Sequence, residues 1–186
     1  LYRSTYQVGL NNQQFTAGSI KYVSSEVRAV IMSWLQAELR DSILTVGAAS
    51  IAVEAALVAA EGRVIAVEHS PRDCATMEEN ARKFGLNNVT VVGSVEEAAD
   101  LPAPGTAFLV ASRYMEQEIA ALIRRNPRMR LFVYTLDFRY LSEVPRIFER
   151  HGIAVTEAIQ VGVNRMGPKG EMTAEDAPWL IAGQVK

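Results

Sequence analysis

Residues 43–68 constrain the fold more than any other stretch of this chain. The unit opens with a short apolar run, residues 43–47, rich in β-branched side chains. An alanine-rich segment, residues 50–60, follows and is stopped by Gly62. A second apolar run, residues 63–68, closes it and ends in Glu68. Strand, helix and strand of these lengths form a crossover whose two strands lie parallel. A parallel pair needs helices over both faces, so the rest of the chain is expected to supply them.

The best-marked helix is residues 71–84, with Ser70 as cap, Pro71 at its first position and Gly85 just past its end. Val27, Val30, Ile31, Trp34, Leu35 and Leu39 recur at helical spacing after Ser24, a fair N-cap. Glu26 lies in that first turn, where the helix dipole favours a carboxylate. Further helices are expected at 115–125 and 140–151, and strands at 89–92, 107–111 and 131–134. Residues 153–163 and 179–182 read as strands with no helix between them, hence an antiparallel pair at the end of the sheet. Residues 1–23 show no period and are expected to form an irregular arm. The expectation is one α/β domain over 1–186, with helices on both faces of a mostly parallel sheet.

The net charge of −2 gives no footprint for nucleic acid or a membrane surface. No apolar run reaches the roughly 18 residues of a membrane helix, and Glu54 interrupts the longest one, residues 51–60. The first residues lack the apolar centre of a signal peptide. Cys74 is the only cysteine, so no internal disulfide forms, which suits a cytoplasmic location. His69 and His151 are isolated, so no metal site is expected. The chain starts at Leu1, as a trimmed chain or part of a longer polypeptide would.

In open parallel sheets the ligand lies at the carboxyl ends of the strands, where strand order switches. The turn there reads Thr45-Val46-Gly47-Ala48-Ala49-Ser50-Ile51-Ala52. Glu68 ends the next strand, 21 positions beyond Gly47. A carboxylate at that place can accept hydrogen bonds from both ribose hydroxyls of an adenosine cofactor. The spacing suits dinucleotides and S-adenosylmethionine alike. The alternative is a plain βαβ turn with a solvated Glu68, because Ala49 and Ala52 stand where glycines would sharpen the signal.

Several further runs follow at regular spacing: Glu26-Val27-Arg28-Ala29-Val30, Val53-Glu54-Ala55-Ala56-Leu57 and Glu79-Asn80-Ala81-Arg82-Lys83-Phe84-Gly85. Asn88-Val89-Thr90-Val91-Val92 and Val161-Gly162-Val163-Asn164-Arg165 complete the series. Together they resemble the decarboxylating precorrin (cobalt-precorrin-6B) C15-methyltransferase family of corrin-ring biosynthesis, from about Phe15 to Gly183. The resemblance implies a Rossmann-like class I methyltransferase fold, with a seven-stranded sheet, and S-adenosylmethionine as cofactor. It places cofactor contacts on Val23, Gly47, Ala48, Ala49, Glu68 and Val95, with Ser94 and Val95 beside the adenine and His69 near the adenosine. It implies methylation of C15 of a precorrin, with loss of the C12 acetate carboxyl as carbon dioxide. Such an acceptor carries many carboxylates, which suit arginine forks. Arg113, Arg165 and Lys169 are expected in loops near the cleft, although each also reads as an ordinary surface cation. The run Gly167-Pro168-Lys169-Gly170 reads as a hairpin loop rather than a lid. The family also implies a homo-oligomer such as a tetramer, and a C5-methyltransferase as fused half or partner.

The chain departs from the family pattern in the ligand-facing loops. Thr45 replaces an aspartate, two residues are absent between Ala48 and Ala49, and Ala49 replaces a glycine. Val23 stands for a threonine, Ser94 for an aspartate, and Ala111-Ser112-Arg113-Tyr114 for a glycine-rich turn. Two alternatives therefore stand beside the enzyme. One is a non-catalytic binding or assembly subunit of the same fold. The other is a nicotinamide-dependent dehydrogenase, since Gly47, Ala49, Ala52 and Glu68 occupy its fingerprint positions; no Tyr-x-x-x-Lys pair supports it. Cys74 and Trp34 read as packing, while Tyr134, Phe138 and Tyr140 read either as cleft lining or as core.

Overall fold

The computed structural model describes residues 8–186, so the first seven residues of the expected arm lie outside the described residues. The strands are β1 Ser42–Val46, β2 Arg63–Val67, β3 Val89–Val92, β4 Thr106–Val110, β5 Arg130–Thr135, β6 Ile153–Gln160, β7 Asn164–Met166, β8 Met172–Ala174 and β9 Trp179–Val185. The helices are α1 Ser25–Leu35, α2 Ala49–Val58, α3 Pro71–Lys83, α4 Met115–Arg125 and α5 Phe138–Arg150. Seven strands form one sheet in the order β3-β2-β1-β4-β5-β9-β6, and β7 pairs with β8 apart from it.

Strands β1 to β5 pair in parallel, and β9 runs antiparallel to both of its neighbours. The expected C-terminal pair is therefore present, with β9 inserted between β5 and β6. That reversed strand departs from the parallel 3-2-1-4-5-6 order of a dinucleotide-binding sheet.

Side-chain alternation sends successive strand residues to opposite faces. Ile43, Val64 and Ala66 join α1, α2 and Met77 of α3 on one side. Leu44, Val46, Ile65 and Val67 meet Met115, Ile119, Phe148 and their neighbours from α4 and α5 on the other. Helix α2 is buried along most of its length, lying between the sheet and α1. Helix α3 keeps the expected start: Ser70 accepts a hydrogen bond from the Asp73 N–H, and Pro71 opens the helix.

Several boundaries differ from the sequence reading. Helix α1 stops before Leu39, because Gln36 turns left-handed at φ 45°. Helix α5 begins earlier, at Phe138, where the Asp137 side chain caps the Arg139 N–H. Strand β6 ends at Gln160, and the chain then makes the β7–β8 hairpin, whose three-residue strands are exposed and too short to show a strand period. Gly167 to Gly170 form the turn of that hairpin, closed by Gly167 N–H donating to the Glu171 carbonyl at 2.8 Å.

The described part of the arm, residues 8–23, is irregular apart from a short turn at Asn12–Gln14, yet it is built into the core. Phe15 is buried against Tyr22 and Phe84. Its anchor is a fully buried ion pair, Arg28 Nε to Glu54 Oε1 at 2.7 Å. Glu54 also accepts from the N–H groups of Gly9 and Leu10, while Arg28 donates to Asn12 and to the Val23 and Leu10 carbonyls. These side-chain bonds to irregular backbone replace the missing periodicity as the source of order.

Candidate functional site

Strand β1 lies between β2 and β4, so the connections leaving it diverge and open a crevice at the strand ends. Gly47 makes the turn there at φ +64°, and its N–H donates to the Val67 carbonyl at 2.9 Å. An added Cβ would meet only Val110 Cβ at 3.6 Å, so the glycine is required by its backbone angle rather than by crowding. Helix α2 begins immediately, with Ala48 at the cap and no side chain bonded to its first N–H groups. Those groups and the helix dipole make this end electropositive. Beneath the turn the Thr45 hydroxyl is buried without a partner. A cavity of about 250 Å³ runs along the turn, between Val23, Gly47, Ala48 and Ala49 on one side and Val110, Tyr134 and Leu136 on the other.

Glu68 follows β2, where its N–H donates to the Val92 carbonyl at 3.0 Å. The side chain is 5% exposed, and Oε1 has no hydrogen-bond partner. Burial, reinforced by the charge of Asp73, pushes its pKa up to about 7. Glu68 faces an open groove of about 500 Å³, together with His69, Cys74, Glu78, Gly93 and Glu97. Cys74 is tied to the strand ends, its Sγ 3.1 Å from the Glu68 carbonyl.

His69 turns the other way. Its Nε2 lies 2.6 Å from Glu118 Oε1, and its ring lies 5.4 Å from that of Tyr114. Glu118 is 4% exposed, and its Oε2 is buried without a partner. Burial raises the Glu118 carboxyl above its ordinary value, against the opposing hydrogen bond from His69. His69, Ser94, Tyr114 and Glu118 border a cavity of about 260 Å³. Val95 is 2% exposed and packs into the core under α4.

The structure thus gathers Val23, Gly47, Ala48 and Ala49 round one cavity, and Glu68, His69 and Ser94 round the strand ends beside it. Arg113 lies over the Tyr114 ring at 4.7 Å and donates to its hydroxyl. Arg165 stands on β7 rather than in a loop. It donates to both Glu26 oxygens, at 3.0 and 2.8 Å, and to Glu175 at 2.6 Å. That contact holds the Glu26 carboxyl down to about 2. Lys169 lies in the hairpin turn. Glu118 was missed by the sequence reading. Its signal is its place among Met115, Ile119 and Leu122, where a carboxylate interrupts an apolar helix stripe.

Six parallel strands with one reversed strand second from the edge, and a carboxylate at the end of β2, define a class I methyltransferase fold. Residues 15–181 match the model of the precorrin methyltransferase domain, so the chain belongs to that family, whose enzymes are methyltransferases of cobalamin biosynthesis. Among solved structures, it is similar to precorrin-6Y C5,15-methyltransferase of Geobacter metallireducens GS-15, with 25% identity, TM-score 0.88 and 100% of both chains covered. It is also similar to precorrin-8W decarboxylase of Methanobacterium thermoautotrophicum, with 21% identity, TM-score 0.81 and coverage of 95% and 100%. The C-terminal domain of precorrin-6Y C5,15-methyltransferase from Rhodobacter capsulatus follows, with 20% identity, TM-score 0.78 and coverage of 95% and 97%. A comparison with curated proteins finds no match.

Proposed function

We propose that the chain is an S-adenosylmethionine-dependent C-methyltransferase that methylates C15 of a precorrin or cobalt-precorrin while the C12 acetate loses its carboxyl as carbon dioxide. The observation that carries this reading is the crevice at the ends of β1 and β2. It holds an uncapped helix N-terminus at Gly47 and, beside it, a buried carboxylate with an unused oxygen at Glu68. An adenosyl cofactor fits both features, because its ribose hydroxyls supply the donors that Glu68 lacks. Gly47, Ala48, Ala49 and Val23 would border its amino-acid end, and His69 and Ser94 its base, with Val95 packed in the core behind them. When bound, it would supply an electrophilic methyl group on a sulfonium.

The protein's own part is alignment and charge. Tyr134 and Leu136 line the Gly47 cavity with Lys21, so an acceptor would approach the cofactor's methyl group past these side chains. Arg113 has no carboxylate partner among the described residues and is therefore the freer cation for an acceptor carboxylate. Arg165 would serve by releasing Glu26 or Glu175. No nucleophile–base pair is needed, because the ring carbon attacks through its own conjugation. The exposed Met166 and Met172 on the β7–β8 hairpin support a homo-oligomer, and a C5-methyltransferase is the partner or fused half that the family suggests. No helix among the described residues is long and apolar enough to cross a membrane, and a cytoplasmic location is part of the proposal.

One observation favours a second reading, a non-catalytic subunit. The cavity at the shortened turn, about 250 Å³, is below the roughly 300 Å³ at which ligand pockets begin. Calorimetric titration with S-adenosylhomocysteine separates the two. One site per chain supports the enzyme; no heat up to millimolar ligand leaves the subunit.

A further inference from the structure

Helix α4 turns Met115, Ile119 and Leu122 into the core, and Glu118 lies on the same stripe. A leucine there would continue the stripe without penalty. An ionised carboxylate offers about four acceptor positions, and His69 occupies one of them. Oε2 has no partner at all, although the residue is 4% exposed. An unmatched buried acceptor is costly, so this one is explained best by a donor from outside the chain.

The position says which donor. His69 borders both the groove of Glu68 and the cavity of Glu118. A nucleoside whose ribose meets Glu68 therefore lays its base against His69 and Glu118. Ser94 borders the same cavity, and its side chain offers a hydroxyl rather than a carboxylate. We infer that Glu118, steered by His69, recognises the amino edge of the adenine ring, an inference that rests on the S-adenosylmethionine reading above. A base with a 6-amino group presents N–H donors to the carboxylate. A 6-oxo base replaces those donors with a carbonyl oxygen facing the carboxylate and keeps only its N1–H, so it binds more weakly. Tyr114 supplies the flat wall beside the ring, while Glu96 and Gln117 lie exposed on the rim.

The test is calorimetry with S-adenosylhomocysteine and with S-inosylhomocysteine, in which a carbonyl replaces the amine. The unaltered chain is expected to bind the amino compound roughly 10- to 100-fold more tightly. Glu118→Leu should lose most of that preference without any fall in its thermal midpoint, and Glu96→Gln should retain the preference. Equal binding of both compounds by the unaltered chain, or an undiminished preference in Glu118→Leu, overturns the inference and leaves the cofactor reading standing. Failure to bind S-adenosylhomocysteine at all overturns both.

Discussion

Glu54 and Glu68 are buried carboxylates of the same βαβ unit, and the fold treats them in opposite ways. Glu54 receives Arg28 Nε at 2.7 Å and the Leu10 N–H at 3.0 Å on one oxygen, and the Gly9 N–H at 3.3 Å on the other. Glu68 has no donor on Oε1 and sits beside an open groove, as Glu118 sits beside a cavity with Oε2 unmatched. Buried polar groups are normally satisfied, and breaking a buried ion pair is among the costlier changes in a fold. The satisfied carboxylate therefore belongs to the architecture, and the unsatisfied ones mark where a ligand completes the structure.

The sharpest way to break this contrast is to remove the Arg28 side of the pair. Arg28→Met leaves Glu54 charged, buried and reduced to two backbone donors. The expected loss is about 3–5 kcal/mol, read as a fall of roughly 10 °C in the thermal midpoint. The double variant Arg28→Met with Glu54→Leu should recover much of it, since a matched apolar pair carries no stranded charge. Hydrogen exchange should meanwhile show the arm around Gly9 and Leu10 released in the double variant, where their N–H groups lose the Glu54 acceptor.

Glu68→Gln should act in the other direction. The folded pKa of about 7 lies above the ordinary glutamate value of 4.5, so ionisation works against the fold. The contribution is whole below pH 4.5 and is lost as pH rises through about 7. An uncharged glutamine escapes that penalty, so the variant should be more stable at pH 8 by up to about 2–3 kcal/mol. It should show little gain near pH 4.5. Binding of S-adenosylhomocysteine should weaken in the variant, and in the unaltered chain it should strengthen from pH 6 to pH 8 as Glu68 ionises. A variant destabilised at pH 8 would place Glu68 with Glu54 among the structural carboxylates.

The two regions were unequally legible in the sequence. Strands β1 to β5 and helices α3 and α4 stand near their expected bounds, because apolar period, Ser70, Pro71 and Gly85 all act locally. The arm gave no signal, because its order comes from Arg28 and Glu54, 16 and 44 positions from the groups they hold. A charge inside each of two apolar helices was the visible trace. The β7–β8 hairpin was read as a turn without its strands, since exposed three-residue strands carry no period. Around the site, Gly47 and Glu68 were legible from topology. Glu118 was not, since a carboxylate in a helix's first turn ordinarily serves the dipole, and only burial shows otherwise.

Gly47→Ala probes the turn between β1 and α2, at the strand ends where Glu68 also lies. The left-handed angle of +64° costs a side-chain-bearing residue about 1–2 kcal/mol, and the 3.6 Å approach to Val110 adds no clash. Loss of S-adenosylhomocysteine affinity beyond that strain would place the ligand against this backbone.

The smallest expected effect belongs to the exposed counterpart of the Arg28–Glu54 pair. Arg165 bridges Glu26 and Glu175 with short contacts, yet its side chain is 50% exposed and that of Glu26 47%. Water and salt screen such a pair, and its entropy cost offsets most of the attraction. Arg165→Ala should therefore leave the thermal midpoint nearly unchanged, with a smaller difference still at high salt. If Arg165 instead releases its partners to hold an acceptor carboxylate, the same variant should raise KM with kcat nearly unchanged, since uniform binding is then lost. A stability loss as large as that of Arg28→Met would show that donor geometry rather than burial separates the pairs.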